Sequence, residues 1–242
     1  AARARREANP EPEPLSARMG SRCPICLDEW DVNEDLPCRP CCCRLICDSC
    51  EKKIGTNAAC PLCRSPVAEN AAEALARIRR QVDEEIPEAM HMLGAIYERG
   101  DLGVVKSTKK AAKLYKRGAE LGSLHAMTNL GVLYYHGDGV KQDRQKAVKL
   151  YRLAADCSDA LAARAQMSLA NALLDDGNLE ESSAWFKRAA EHGLTHAERM
   201  IGMCYAVGQG VPLDHTEAKK WLARAVAKGD EEAIEFLRTH VM

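Results

Sequence analysis

Residues 126–140 read AMTNLGVLYYHGDGV, and this stretch decides the fold of most of the chain. Ala126, Leu130 and Tyr134 are spaced four residues apart, which places them on one side of a helix. Gly137 and Gly139 then interrupt the helical pattern, as in a tight turn. We therefore predict a helix here that ends in a glycine-rich turn.

The same pattern returns about every 36 residues from Pro87 onward, a period typical of helical solenoids. The corresponding first-helix positions are Ala89, Leu93-Gly94 and Tyr97; Ala165, Leu169-Ala170 and Leu173; and Ala197, Ile201-Gly202 and Tyr205. The second-helix positions are Ala111, Tyr115 and Ala119; Ala147, Tyr151 and Ala155; Ser182, Phe186 and Ala190; and Ala218, Leu222 and Val226. Each repeat is therefore predicted to be an antiparallel helix pair, and neighbouring pairs stack to bury their apolar faces.

Small residues at the crossing of each pair are expected to let the two backbones approach closely. The composition agrees with closely packed helices, because 46% of the residues are hydrophobic but only 5% are aromatic, so most core side chains must be small or aliphatic. Gly122, Gly193 and Gly229 follow the second helices, where a helix end favours a residue that tolerates positive φ. The third copy lacks the glycine loop and is predicted to be shorter.

This pattern resembles the Sel-1-like repeat, a relative of the tetratricopeptide repeat. The resemblance covers Pro87 to about Gly229 and is strong in three of the copies. It implies a surface for binding other proteins and no catalytic group within the repeats. The seven histidines have no Cys or Asp at ligand spacing, so we expect packing or solvated roles for them. We expect Cys157 and Cys204 to be buried thiols.

The composition divides the chain into four segments. Residues 1–20 contain Pro10, Pro12 and Pro14 and are predicted to be a disordered lead-in. Residues 21–66 hold the cysteine-rich module. Residues 67–86 form a linker helix with Leu75 and Ile78 at helical spacing. Residues 87–242 form the repeat domain, in which 231–237 are predicted to be a capping helix.

Ten of the 12 cysteines lie between Cys23 and Cys63, and this density indicates a metal site. Three C-x2-C pairs stand out, and each pair can supply two thiolates to one zinc ion. The cluster from Cys38 to Cys43 must supply two more thiolates to complete a second site. No histidine lies between Cys23 and Cys63, so we expect two zinc ions with only cysteine ligands.

The order of these cysteines resembles an all-cysteine variant of the RING finger, a small cross-brace zinc module. The resemblance implies that Arg44 stands near the usual histidine ligand and that Cys41 and Cys42 replace the usual second pair. Cys38 with Cys41 is the alternative, and Cys43 is a further candidate. The implied zinc ligands are Cys23, Cys26, Cys41, Cys42, Cys47, Cys50, Cys60 and Cys63.

The same resemblance implies a ubiquitin-protein ligase that recruits a charged ubiquitin-conjugating enzyme and has no catalytic side chain of its own. Contacts with that enzyme are implied for Ile25, Pro61, Leu62 and Arg64, and Arg64 would also contact ubiquitin. The repeats would then hold a substrate or an adaptor protein. The alternative function is a non-enzymatic interaction scaffold, in which the zinc module serves only for docking or dimerisation.

The charge balance disfavours a nucleic-acid-binding function. The chain has 34 Lys and Arg residues against 35 Asp and Glu residues, and the segment 21–66 carries 6 basic and 7 acidic residues. No apolar run approaches the roughly 18 residues that a membrane span needs, and the first residues do not resemble a signal peptide. We therefore expect a soluble intracellular protein, cytoplasmic or nuclear. The basic run Lys109, Lys110, Lys113 and Lys116 indicates a solvated face, an acidic partner or a site of self-modification.

Overall fold

A computed structural model of the chain describes residues 50, 52–53, 59–60, 62–157 and 162–240. The helices of this part are α1 (Ala71–Asp83), α2 (Pro87–Arg99), α3 (Thr108–Glu120), α4 (Leu124–His136), α5 (Arg144–Ala155), α6 (Ala163–Asp175), α7 (Leu179–Glu191), α8 (Thr195–Val207), α9 (His215–Ala227) and α10 (Glu231–His240). A short 3-10 turn, Asp101–Gly103, follows α2. None of the described helices is long and apolar enough to cross a membrane.

The helices pair as the repeat pattern predicts: α2 with α3, α4 with α5, α6 with α7, and α8 with α9. We call α2, α4, α6 and α8 the first helices and their partners the second helices. The predicted glycine positions are also confirmed, since Gly122, Gly193 and Gly229 have φ angles of 96°, 88° and 86°. A mainly α fold of stacked helix pairs is therefore established for the described part of the repeat domain.

A large side chain of the second helix packs directly against the backbone of the first-helix glycine at each of three helix crossings. A Cβ atom added at Gly94 would lie 2.5 Å from Cε1 of Tyr115, and one added at Gly131 would lie 2.5 Å from Cε1 of Tyr151. At Gly202 the nearest atom is Cγ of Leu222, at 2.7 Å. Glycine is therefore required at these crossings, because any side chain would collide with the second helix.

The glycine-rich loop of one repeat packs on the second helix of the repeat before it. A Cβ atom added at Gly139 would lie 2.6 Å from the backbone carbon of Thr108, the first residue of α3. In the last repeat, a Cβ atom at Gly210 would lie 2.1 Å from the backbone oxygen of Leu179, the first residue of α7. These close approaches fix the register between consecutive repeats. The third repeat has only the turn 176–178 between α6 and α7, as its sequence predicts.

The first helices line the inner side of the stack. Helix α2 packs against α4, α4 packs against α6, and α8 packs against α10, whereas no two second helices of the described part pack as closely. Helix α1 covers one end of the stack and buries Leu75 and Ile78 against Leu93 and Ile96. Helix α10 covers the other end and buries Ala233 completely.

A buried carboxylate in the last repeat holds two cations that join this repeat to its neighbour. The side chain of Glu198 in α8 is 0% exposed, and it forms ion pairs with Arg224 at 2.8 Å and Lys228 at 2.9 Å. The same two cations also donate hydrogen bonds to backbone oxygens of the third repeat, Ala190 and Gly193. This carboxylate is stabilised by two opposite charges, which is the condition for burying an ion inside a fold.

The first prediction concerns Gly131. Ala normally stabilises a helix interior by about 1 kcal/mol relative to Gly, but here the added methyl group would collide with the ring of Tyr151. We expect Gly131→Ala to lower the free energy of unfolding by about 1–3 kcal/mol, the usual cost of overpacking a core. Urea unfolding measures this change.

The exposed helix residue Ala184 provides the control, because Ala184→Gly reports helix propensity without a change in packing. A more stable Gly131→Ala protein would show that the ring does not constrain this position.

Candidate interaction surface

The inner face is formed by two positions of each first helix that lie one turn apart and remain partly exposed. In each copy they are the third and sixth residues after the alanine that begins the first-helix pattern. These alanines are Ala89, Ala126, Ala165 and Ala197. The inner-face residues are Met92, Ala95, Asn129, Val132, Ser168, Asn171, Met200 and Met203. The face is therefore polar in its middle and apolar towards both ends.

A polar cluster lies between the first two repeats at the edge of this face. The ring of Tyr115 crosses Gly94, and its hydroxyl donates a hydrogen bond of 2.7 Å to a carboxylate oxygen of Glu98. The side-chain amide nitrogen of Asn129 lies 3.1 Å from Nε2 of His91, whose ring stacks on Tyr115 with centroids 5.9 Å apart. We call Glu98, Tyr115, Asn129 and His91 the polar cluster.

The histidine of this cluster is held in its neutral form. Burial lowers the pKa of His91 to about 3, and the nearby charges of His125, Arg99 and Arg164 act in the same direction. Because a neutral imidazole has one nitrogen that accepts a hydrogen bond, the Asn129 amide can donate to Nε2. Burial and the carboxylate of Glu98 raise the pKa of Tyr115, so its hydroxyl remains a donor.

The position that His91 occupies in the first repeat carries an arginine in the last one. Arg199 forms ion pairs with Asp230 at 3.2 Å and with Glu232 of α10, and it contacts Nδ1 of His196 at 2.7 Å. Burial, followed by the charge of Arg199, lowers the pKa of His196. Both ends of the stack therefore use the same helix position for a polar contact with the next helix of the inner layer.

The sequence does not predict the polar cluster, since only packing or solvated roles are expected for the histidines. His91 and Asn129 are 38 residues apart, which is one repeat plus about one residue. Polar residues separated by about one period on the first helices are the signal that identifies such contacts. The prediction of a buried thiol is confirmed for Cys204, and burial raises the pKa of this thiol to about 11. Cys157 is partly buried and packs against the core.

Most of the predicted zinc and enzyme-contact residues lie outside the described residues: Cys23, Ile25, Cys26, Cys41, Cys42, Cys47 and Pro61, together with the alternatives Cys38 and Cys43. Cys50, Cys60, Leu62, Cys63 and Arg64 are described. Within the described part, no three His, Cys, Asp or Glu side chains come together as a metal site would require. The zinc ligands therefore stay a prediction.

The described end of the cysteine-rich segment forms a tight turn. The backbone N–H of Arg64 donates to the oxygen of Cys60 at 2.7 Å, and the N–H of Cys60 donates to the oxygen of Ser65 at 2.8 Å. Arg64 has a φ of 60°, a left-handed conformation that is uncommon outside glycine. Both cysteines lie within this turn, where Cys60 is buried and Cys63 is exposed.

This turn is attached to the repeats through α1. A guanidinium nitrogen of Arg77 donates to the backbone oxygen of Pro66 and another pairs with Glu73 at 2.6 Å. A pocket of about 390 Å³ lies between the segment 65–68, Ala74 of α1 and Leu102 of the first repeat. The contact between Arg77 and Pro66 holds the end of the cysteine-rich segment against α1.

The second prediction concerns the buried histidine. The pKa of His91 is about 3 in the fold against 6.5 when exposed, so the unfolded chain binds more protons between these values. The stability contribution is complete above pH 6.5 and falls by about 1.4 kcal/mol per pH unit below it, until the pH nears 3. Urea unfolding of the wild type and of His91→Gln at neutral and mildly acidic pH measures this loss, and we expect a shallower loss in the variant.

His215→Gln is the matched control, because it makes the same substitution at an exposed position at the start of α9. Equal pH dependence in the wild type and in His91→Gln would contradict the assignment of His91 as a neutral buried group.

Comparison with known proteins gives the family of the repeat domain. The family model for the Sel1 repeat matches residues 87–123, 124–159, 163–194 and 195–230. The chain is 35% identical to a Sel1 repeat protein of Oxalobacter formigenes of known crystal structure, with a TM-score of 0.60 and coverage of 68% of each chain. It also resembles c5321, a protective antigen of uropathogenic Escherichia coli with an SLR fold, at 26% identity and a TM-score of 0.66, covering 74% of this chain and 39% of that one.

Among curated proteins, the chain is similar to two fungal chitin synthase regulators named SKT5. It is 32% identical over 72% of its length to the Malassezia restricta protein and 33% identical over 70% to the Saccharomyces cerevisiae protein. The matches span only 12% and 25% of those proteins. With four family matches that cover more than half of its residues, the chain belongs to the Sel1 repeat family.

Proposed function

We propose that this protein is an interaction scaffold and that the inner face of its repeats holds a segment of a partner protein. The observation that carries the proposal is the inner face itself, which presents partly exposed side chains from four neighbouring first helices. Amide and hydroxyl groups occupy the middle, at Asn129, Ser168 and Asn171, and thioethers occupy the ends. A surface spread over four helices suits an extended polypeptide better than a small molecule.

The chemistry of the face fits a polypeptide. An Asn amide both donates and accepts hydrogen bonds, as the peptide backbone does. Met92, Met200 and Met203 offer flexible apolar side chains that adapt to different partner residues. The relatives named as chitin synthase regulators support a role in which the chain acts through another protein.

The third prediction tests the inner face at Asn171, which is exposed in α6. Asn171→Arg places a bulky charge in the middle of the face, so we expect it to remove the proteins that copurify with the tagged wild-type chain. Ala184→Arg makes a change of similar size on the outer side of α7 in the same repeat and should keep them. Quantitative mass spectrometry of the purified complexes measures the difference. Equal recovery by both variants would count against the inner face as the binding surface.

A second candidate function is a RING-type ubiquitin-protein ligase. The turn at Cys60–Cys63, closed by two backbone hydrogen bonds, favours this candidate because a C-x2-C metal knuckle needs both cysteines on one tight turn. In this proposal eight thiolates hold two zinc ions, from Cys23, Cys26, Cys41, Cys42, Cys47, Cys50, Cys60 and Cys63. Zinc bound there would supply folding energy to a module with little core of its own.

In the ligase proposal, the chain orients its partners and contributes no nucleophile. Ile25, Pro61 and Leu62 would contact the ubiquitin-conjugating enzyme, and the exposed Arg64 would contact both that enzyme and its attached ubiquitin. The planar guanidinium can donate to two acceptors at once. Holding the flexible ubiquitin in a reactive orientation lowers the entropic part of the barrier to lysine attack. A substrate on the inner face would then be presented to the loaded enzyme.

The fourth prediction separates the ligase from the scaffold. We expect two zinc ions per chain by metal analysis, the loss of one ion in Cys42→Ser, and no loss in Cys38→Ser. With a panel of conjugating enzymes, the wild type should form ubiquitin chains, and Arg64→Ala should lose this activity at unchanged zinc content. Arg79→Ala, an exposed change in α1, is the matched control. No transfer by the wild type with any enzyme of the panel would leave the scaffold as the function.

A further inference from the structure

A concentrated positive surface lies on the outer side of the first two repeats. Helices α3 and α5 together carry nine Lys and Arg residues and one acidic residue, Glu120. The second helices of the last two repeats, α7 and α9, carry five basic and four acidic residues. The positive charge therefore belongs to one half of the solenoid and is not a general property of its outer side.

Part of this charge is compensated within the fold. Arg117 pairs with Glu85, Lys146 pairs with Asp143, and Arg152 pairs with Glu181. Four lysines of the two helices form no ion pair at contact distance and contact no aromatic ring among the described residues; they are Lys109, Lys113, Lys116 and Lys149. Of these, Lys149 interacts electrostatically with Asp143 at longer range. We call these four lysines the outer lysine patch.

The members of the patch share one face. Lys109, Lys113 and Lys116 follow the i, i+4, i+7 spacing of one side of α3, opposite the buried Ala111 and Tyr115. Lys149 stands at the same repeat position in α5 as Lys113 does in α3. The two helices therefore present equivalent charges side by side on the outer surface.

An apolar side chain lies beside these charges. Leu153 is 60% exposed and lies one helical turn after Lys149, on the same outer face of α5. A leucine this exposed contributes little to the stability of its own fold, so its place beside Lys149 adds an apolar contact point to a charged surface. A partner for this surface needs several negative charges and at least one apolar side chain.

We propose that the outer lysine patch and Leu153 bind an acidic protein segment that carries an apolar residue. Like-charged lysines close together raise the local potential, and carboxylates of a partner would lower it. The apolar residue of the partner would cover Leu153 and remove it from water. The binding is independent of the inner face, so it adds a second surface to the proposed scaffold.

The surface fits other polyanions less well. The aromatic rings of the two helices, Tyr115 and Tyr151, are buried. The partly exposed rings nearby, Tyr97, Tyr134 and Tyr135, already carry Lys110, Lys146 and Arg144 over their faces, which leaves them poorly placed to stack on the bases of single-stranded nucleic acid. The uncompensated charges of the patch all belong to lysines, whereas bidentate phosphate recognition favours arginine. Leu153 alone does not form the broad apolar face that membrane-surface helices insert into lipid.

The fifth prediction tests this proposal with the full chain and a short fluorescein-labelled peptide of Glu, Asp and Ser with one central Leu. Fluorescence anisotropy should show binding that weakens as salt is added. Lys113→Glu combined with Lys149→Glu should weaken binding by about tenfold or more, because complementary charges become repulsive. Leu153→Ser should weaken binding of this peptide but not of a version with Ser in place of Leu.

The matched control is Lys187→Glu combined with Lys219→Glu, which makes the same change in net charge at exposed positions of α7 and α9. This control should bind the peptide within about twofold of the wild type. Asn171→Arg should also bind normally, which separates this surface from the inner face. Thermal unfolding confirms that each variant is folded.

The proposal is overturned if the wild type does not bind the peptide, or if the control pair weakens binding as much as the patch variant. It is also overturned if a single-stranded DNA oligonucleotide of equal charge, or vesicles containing phosphatidylserine, bind the wild type more tightly than the peptide does. Selective loss in the patch variant, with retention in the control, supports it.

Discussion

The absence of a side chain at the helix crossing is the constraint on which the repeat domain depends. At Gly94 and Gly131 the ring of the second helix lies where a Cβ atom would be. This contact brings the two helices close together, and at Gly202 a leucine takes the place of the ring. The third repeat has Ala170, the next smallest residue, at this position. Pairs built in this way stack on one another, which is how a solenoid forms from repeats that could not fold singly.

The same crossing also determines where polar groups appear. A tyrosine ring that passes over a glycine carries its hydroxyl beyond the helix layer, and Tyr115 thereby reaches Glu98 on the inner side. The third and fourth repeats have Phe186 and Leu222 at this position, which carry no hydroxyl. These two positions therefore cannot make the hydroxyl contact that Tyr115 makes with Glu98 in the first repeat.

The sequence predicts the helices, their pairing and the required glycines because these features repeat, and a repeated signal stands out from local variation. It does not predict Glu198, which reads as a surface charge on an amphipathic helix but is fully buried. Its partners Arg224 and Lys228 lie in α9 and at its end, and only the pairing of α8 with α9 within the last repeat brings them to it. His91 and Asn129 are a different case, since their contact crosses from one repeat to the next. Contacts between repeats depend on the helix offset, which the period alone does not fix.

In the proposed scaffold, the two faces of the solenoid would serve different partners at the same time. The inner face projects from the first helices, and the outer lysine patch projects from the second helices, with the glycine crossings and the buried rings of Tyr115 and Tyr151 between them. A protein bound on one side would therefore leave the other side free. The contact of Arg77 with Pro66 fixes the exit of the cysteine-rich segment at the first repeat, beside the half of the solenoid that carries the patch. A scaffold built in this way gains its specificity from where each surface lies along the stack, because every repeat offers the same backbone and only the side chains differ.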